Sequence, residues 1–169
     1  MTVRYRDAAP GDAEPLTALF HDGFRDTFGH LYDPRDLAAF LAGHSPAHWR
    51  EQLESGAFAV RLAEDGEQMA GFIKLGPVKL PVEPAGPAIE LRQLYVLEPW
   101  QGSGVAIELV DWMVAEARRR GDGQIFLSVF SQNLRARRFY ARFGFVDVGP
   151  CVFMVGNHAD DDIIMRLDL

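Results

Sequence analysis

The chain has 169 residues, 48% hydrophobic and 24% charged, enough apolar material for the core of one soluble globular domain over residues 1–169. A formal net charge of −7 and a pI near 5.2 argue against a nucleic-acid or anionic-membrane partner, either of which would want a basic surface. The one cysteine, Cys151, excludes an intramolecular disulfide and any multi-cysteine zinc site, and fits a reducing compartment. The opening MTVRYRDAAPGD has no apolar signal core, and no run of about 18 apolar residues follows. A cytoplasmic location is the expectation.

Asp12 is placed to cap a helix whose Leu16, Leu19, Phe20, Phe24, Thr27 and Phe28 recur at helical spacing. Asp33-Pro34 starts a second helix that ends before Gly43, and Ser45-Pro46 starts a third that stops at Gly56. The period then changes. Phe58 to Ala63 and Gln68 to Leu75 flank Glu64-Asp65-Gly66-Glu67, a hairpin signal. Gly76 to Ala88 carries four prolines and reads as a surface loop.

Ile89 to Val96 reads as a strand, Ser103 to Arg120 as a long helix and Gln124 to Phe130 as a buried strand. Asn133 to Phe143 is a helix stopped by Gly144, and Phe145–Val148, Val152–Val155 and Ile163–Leu169 are closing strands. Two helical crossovers imply some parallel pairing and the hairpins imply antiparallel pairing. The expected fold is α/β, a mixed and mostly antiparallel sheet with helices on both faces.

The segment LYVLEPWQGSGVAIELVDWM poses the functional question. A strand runs into Gln101-Gly102-Ser103-Gly104 and at once into a helix. The first turn of a helix leaves N–H groups unpaired, with about half a positive charge from the macrodipole, and glycines let a pyrophosphate approach those amides. A Rossmann fingerprint fails because Ile107 holds the third glycine position, and a P-loop fails because no Lys follows.

The pattern that remains, Gln101-x-x-Gly104-x-Ala106 after Leu94-Tyr95-Val96, resembles the acyl-CoA pyrophosphate loop of the GNAT N-acetyltransferase superfamily, written (R/Q)-x-x-G-x-(G/A). A second block, NLRARRFYARFGF, is similar to that family's N-x-x-A-x-x-x-Y-x-x-x-G-F, with Asn133, Ala136, Tyr140, Gly144 and Phe145 in register. More loosely, GFRDTFGHLYDPRDLAAFL and FMVGNHADDDIIMRL look like the PaiA-type polyamine acetyltransferase branch.

The resemblance implies the acyl-CoA N-acyltransferase fold and acetyl-CoA as co-substrate, with no metal. It implies a cofactor site at Leu94, Tyr95, Val96, Gln101, Gly102, Ser103, Gly104, Val105, Ala106, Asn133, Ala136 and Tyr140. Val96 N–H would polarise the thioester carbonyl, and Tyr140 would be the general acid toward the CoA thiolate. Glu90, on the same strand, is the candidate general base; strand alternation sets Glu90, Arg92 and Leu94 on one face, taken to line the acceptor cleft. Phe28, His30 and Tyr32 are candidates for the acceptor wall. Gln101 stands where Arg is commoner, so backbone amides carry more of the phosphate binding.

Other features carry less. Arg118-Arg119-Arg120 complements a helix C-terminus, and which of Arg135, Arg137, Arg138 and Arg142 reaches a CoA phosphate is left open. Cys151 with His158 lacks a nucleophile signature, and HADDD, His158 to Asp162, reads as a turn before a strand rather than a metal site. The expected activity is acetyl transfer to an amine by direct attack in a ternary complex, with a small cationic amine or polyamine favoured and a homodimer possible. The alternatives are a non-catalytic acyl-CoA-binding module, a protein N-terminal or lysine acetyltransferase, and a structural subunit that pairs through an edge at Ile163 to Leu169.

Overall fold

The computed structural model describes residues 2–169. In chain order the elements are β1 (Val3–Asp7), α1 (Ala13–Phe28), α2 (Pro34–Ala42), α3 (Pro46–Glu54), β2 (Ala59–Asp65), β3 (Gln68–Gly76), β4 (Ala88–Val96), α4 (Val105–Arg120), β5 (Gln124–Phe130), α5 (Leu134–Arg142), β6 (Val146–Val155) and β7 (His158–Asp168). The strands form one sheet in the order β1-β2-β3-β4-β5-β7-β6, antiparallel everywhere except between β4 and β5. The α4 crossover produces that parallel pair; the α5 crossover instead carries the chain to the edge strand β6, antiparallel to β7.

Apolar periodicity divides the helices between the two faces. Val105, Leu109, Val110, Met113 and Ala117 of α4 bury one stripe against Ile73, Leu91, Ile125, Leu127 and Met165 of the sheet, with Phe139 and Tyr140 of α5 packed beside them. On the opposite face Leu16, Phe20 and Phe24 of α1, Leu41 of α2 and Trp49 of α3 close over Leu62, Phe72 and Val155. Ser45 caps α3 through His48 N–H, and Asp33 caps α2 through Arg35 N–H.

Several expectations change. The Asp12 carboxylate does not cap α1; it accepts from Ala9 N–H at 2.7 Å and from Arg6. A strand at Val3–Asp7 went unread, because an edge strand with few buried positions has little alternation. Gly149-Pro150 does not divide the chain into two strands. It lies inside β6, beside a bulge at Asp147/Gly149, which an outer strand tolerates because a missing N–H there faces solvent. The last strand begins at His158 rather than Ile163, so the acidic run is strand and the turn is Gly156-Asn157. Ile163–Leu169 is not an edge, since β7 pairs with β5 on one side and β6 on the other.

Candidate active site

The only parallel pairing among the described residues ends almost where it starts. Ala88, Ile89 and Glu90 pair with Gln124, Ile125 and Phe126, and beyond them β4 and β5 diverge. A bulge at Arg92 adds to this: Lys74 faces Gln93 and Leu75 faces Leu91, so Arg92 is an extra residue on β4. The bulge also overturns the expected alternation. Glu90 lies in the cleft, but Leu94 and Val96 pack toward the α4 core while Tyr95 packs toward α1.

The divergence frees backbone groups. Leu97 N–H donates to Ala70 O on β3 at 2.9 Å, so alternation turns Tyr95 N–H the same way and points the Leu94 and Val96 amides into the gap between β4 and β5. The Val96 carbonyl faces that gap too, where Gln101 Nε2 donates to it at 3.0 Å. At the end of β4 the chain turns through Gly102 (φ 76°) and Gly104 (φ 92°), left-handed conformations that other residues adopt at a cost. The first bond into α4 runs from Glu108 N–H to Gly104 O, which leaves the Val105, Ala106 and Ile107 amides at the helix mouth without an intrahelical acceptor.

Helix α5 closes the far side. Asn133 Oδ1 caps it through Ala136 N–H at 3.2 Å, and Gly144 ends it at φ 97°. That holds the Tyr140 phenol in the cavity, its pKa raised by burial, so it stays protonated at neutral pH and is available as a proton donor. The cavity, about 830 Å³, takes in the gap, the glycine turn and the space under α1 to α3.

A groove of amides thus leads from a strand gap to a helix mouth, closed by the Tyr140 phenol. Residues 16–145 match the model of the Acetyltransferase (GNAT) family. The chain belongs to that family. An uncharacterized N-acetyltransferase of Mycobacterium tuberculosis is 30% identical over 159 residues, 94% of this chain and 98% of that protein. The fold is shared across full length with the PaiA N-acetyltransferase of Thermoplasma acidophilum in complex with coenzyme A (TM-score 0.82, 18% identity, 100% of both chains). It is also shared with a ribosomal-protein-alanine N-acetyltransferase of Brucella melitensis (TM-score 0.74, 24% identity, 98% of this chain and 99% of that one). This chain is an N-acetyltransferase of the GNAT family, with acetyl-CoA as its co-substrate.

Within that frame, Leu94, Tyr95, Val96, Gln101, Gly102, Gly104, Ala106, Asn133, Ala136 and Tyr140 all line the cavity. Val105 faces the core with its side chain, and the Ser103 hydroxyl turns back to donate to the Trp100 carbonyl. Of the arginines left open, Arg137 is held by Asp147 and the Ser131 carbonyl, whereas Arg135 reaches Gln101 Oε1 at 3.4 Å and lines the groove with Arg142. Phe28 and Tyr32 line the cavity under α1 to α3, but His30 is exposed on the outer turn and does not.

Glu90 is buried and lines the cavity, with both oxygens engaged. Oε2 accepts from the Lys79 and Leu80 amides at 2.7 and 3.2 Å, and Oε1 stands 3.5 Å from Arg92 Nε. Its carboxylate thereby fastens the proline-rich loop to β4.

Two acids were not among the sequence candidates. Asp160 and Asp162, each 6% exposed, project from β7 into the cavity. Asp160 takes the Tyr32 hydroxyl and His158 Nε2 (3.1 Å). Asp162 has no ion-pair partner among the described residues. Burial pushes its pKa up to about 6; Ser128 beside it opposes the rise and the charge of Asp160 adds to it. Buried carboxylates without a cation are expensive, and a cation from outside relieves the cost. Cys151, across from Asp162 on β6, has a thiol pKa raised by burial and by the charges of Asp162 and Glu90, so it stays protonated.

The opposite wall also went unread. Lys74, 3% exposed, donates to Gln52 Oε1 at 2.7 Å and lies 4.1 Å from the Trp49 ring centre. Gln52 Nε2 in turn donates to His48 Nε2 at 3.0 Å, which requires a neutral imidazole; burial, then Lys74, lowers the His48 pKa. Among the described residues no group of three or more His, Cys, Asp or Glu could hold a metal ion, and no helix is long and apolar enough to cross a membrane.

Proposed function

We propose that the protein acetylates a small amine that enters the cleft as an ammonium ion, by direct attack on the thioester in a ternary complex. The observation that carries this reading is the gap between β4 and β5, where two free strand amides lead to the glycine turn on one side and a cavity with three buried carboxylates, Glu90, Asp160 and Asp162, lies on the other. A lysine-type ammonium with a pKa of about 10.4 is only about 0.1% free amine near neutral pH, so a proton acceptor is needed. Glu90 and Asp162 both line the cavity; Asp162 is the favoured acceptor because the oxygens of Glu90 are already engaged.

In the reaction the amine lone pair attacks the thioester carbonyl carbon, forming the C–N bond. The oxygen gains charge opposite Val96 N–H. As the C–S bond breaks, Tyr140 gives its proton to the sulfur and recovers one from the amide nitrogen. The proton first taken by Asp162 goes to solvent. The free helix-mouth amides of Val105, Ala106 and Ile107 receive the pyrophosphate, which the glycine turn lets approach, with Arg135 supplying charge that Gln101 lacks.

The acid pair supports a cationic acceptor, the class that the acidic chain and the loose PaiA likeness also favour. The test is release of CoA thiol from acetyl-CoA across a panel of amines, amino acids and peptides, in the unaltered protein and in Asp162→Asn. Saturable release with a small amine, depressed in Asp162→Asn, supports the reading. Release only with peptides would replace it with a protein acceptor.

A further inference from the structure

Lys74 is a buried cation without a counter-ion. Of its three donors one is used by Gln52, whose side chain is neutral, and one face lies over the Trp49 indole. No carboxylate pairs with it among the described residues, and its nearest charged neighbours, Arg92 and Lys79, are also cations. Arg92 is matched by Glu90 at 3.5 Å; Lys74 is not matched. Beside it Gln93, its partner across β3 and β4, leaves Oε1 buried without a donor. All three side chains line the same cavity as Asp160 and Asp162.

The two unmatched charges cannot satisfy each other. Lys74 is on β3 and Asp162 on β7, with β4, β5 and the open β4–β5 gap between them, and the lysine side chain is turned onto Gln52 and Trp49 of α3.

We infer that the acceptor is a zwitterion whose ammonium docks at Asp160 and Asp162 beside the thioester and whose carboxylate, several bonds away, docks on Lys74. This rests on the amine acetyl transfer proposed above and names the class of amine. A linear ω-amino acid carries the two groups at opposite ends of one chain. Its ammonium relieves Asp162, its carboxylate relieves Lys74, and a donor on the acceptor chain can meet Gln93 Oε1. A diamine of the same length would set its second ammonium against Lys74, Lys79 and Arg92, a repulsion that a carboxylate turns into attraction.

The test uses three acceptors of equal chain length: δ-aminovalerate, n-pentylamine and cadaverine, each with acetyl-CoA and the full chain. The expected result is kcat/KM for δ-aminovalerate about tenfold or more above that for the other two. In Lys74→Met the ratio of δ-aminovalerate to n-pentylamine falls toward one, carried by KM rather than kcat. A rise in melting temperature with acetyl-CoA checks that the variant is folded, and Lys74→Arg, which keeps a cation at the site, restores the preference for the acid.

Cadaverine as the best of the three, or a ratio unmoved in a folded Lys74→Met, overturns the inference and leaves the amine acetyltransferase reading standing. So does turnover confined to amines outside the three. Absence of CoA release with every small amine overturns both.

Discussion

The side-chain amide of Gln101 donates to the carbonyl of Val96 at 3.0 Å, tying the first residue of the glycine turn to the last residue of β4. The two groups proposed to handle opposite ends of the cofactor, strand amides at the thioester and turn amides at the pyrophosphate, are therefore held in one register. The other end of the same amide accepts from Arg135 Nη1 at 3.4 Å. A neutral residue at 101 thus delivers a guanidinium from α5 to the groove.

Arg135→Gln should raise the KM for acetyl-CoA about three- to tenfold with little change in kcat, as expected for loss of an exposed charge-assisted contact. The penalty should shrink as salt is added, because exposed charges are screened. Initial rates at two ionic strengths check both points.

Gly104→Ala meets open space, since nothing lies within 4 Å of an added Cβ, so its cost is backbone strain at φ 92°. That amounts to about 1–2 kcal/mol. If the strain is relieved by moving the turn, the pyrophosphate amides move with it. The expected outcome is a modest fall in melting temperature and a much larger loss of CoA affinity, read by calorimetry.

Tyr140→Phe should lower kcat by about a hundredfold while leaving the KM for acetyl-CoA nearly unchanged, the pattern of a lost proton donor rather than a lost binding contact. The phenol's raised pKa keeps it protonated through neutral pH. No loss of activity from its ionisation is expected up to about pH 10.

Asp162 and Lys74 tilt stability with pH in opposite directions. The Asp162 carboxyl rises from 3.8 to about 6 on folding, so between those values the native state holds a proton the unfolded chain has lost, and stability falls as pH rises. Lys74 falls from 10.5 to about 7, so across that window the unfolded chain holds the extra proton and stability rises with pH. Asp162→Asn should therefore melt above the parent at pH about 7, with the gap closing near pH 4, and Lys74→Met should melt above it at pH about 6, with the gap closing near pH 10. Thermal unfolding of the three proteins across that range measures both.

The part of the cavity proposed for the cofactor was legible because its elements are local. A strand, two glycines and a helix mouth are consecutive in the chain, and Asn133, Ala136 and Tyr140 repeat on one helix face. The part proposed for the acceptor is assembled by topology. Asp162 belonged to an acidic stretch that reads as a turn before a strand, and only the antiparallel placement of β7 between β5 and β6 turns it, with Asp160, into the cavity. Lys74 belonged to an ordinary hairpin, and nothing in sequence links it to Gln52 or Trp49 on α3. The bulge at Arg92 was equally hidden, because an extra residue on one strand shows only against its partner. His30 was misplaced for the converse reason: next to Phe28 and Tyr32 in sequence, it faces outward on a tight turn.

Single-turnover mixing of the protein with acetyl-CoA, with and without an amine acceptor, followed by mass spectrometry of protein and product, tests the central claim most directly. Direct attack in the β4–β5 gap predicts no acetylated protein and no CoA release without amine, then one acetylated amine per CoA when amine is added, slowed in Tyr140→Phe. An acetyl group on the protein before amine arrives, or CoA release at a rate indifferent to amine, would contradict it.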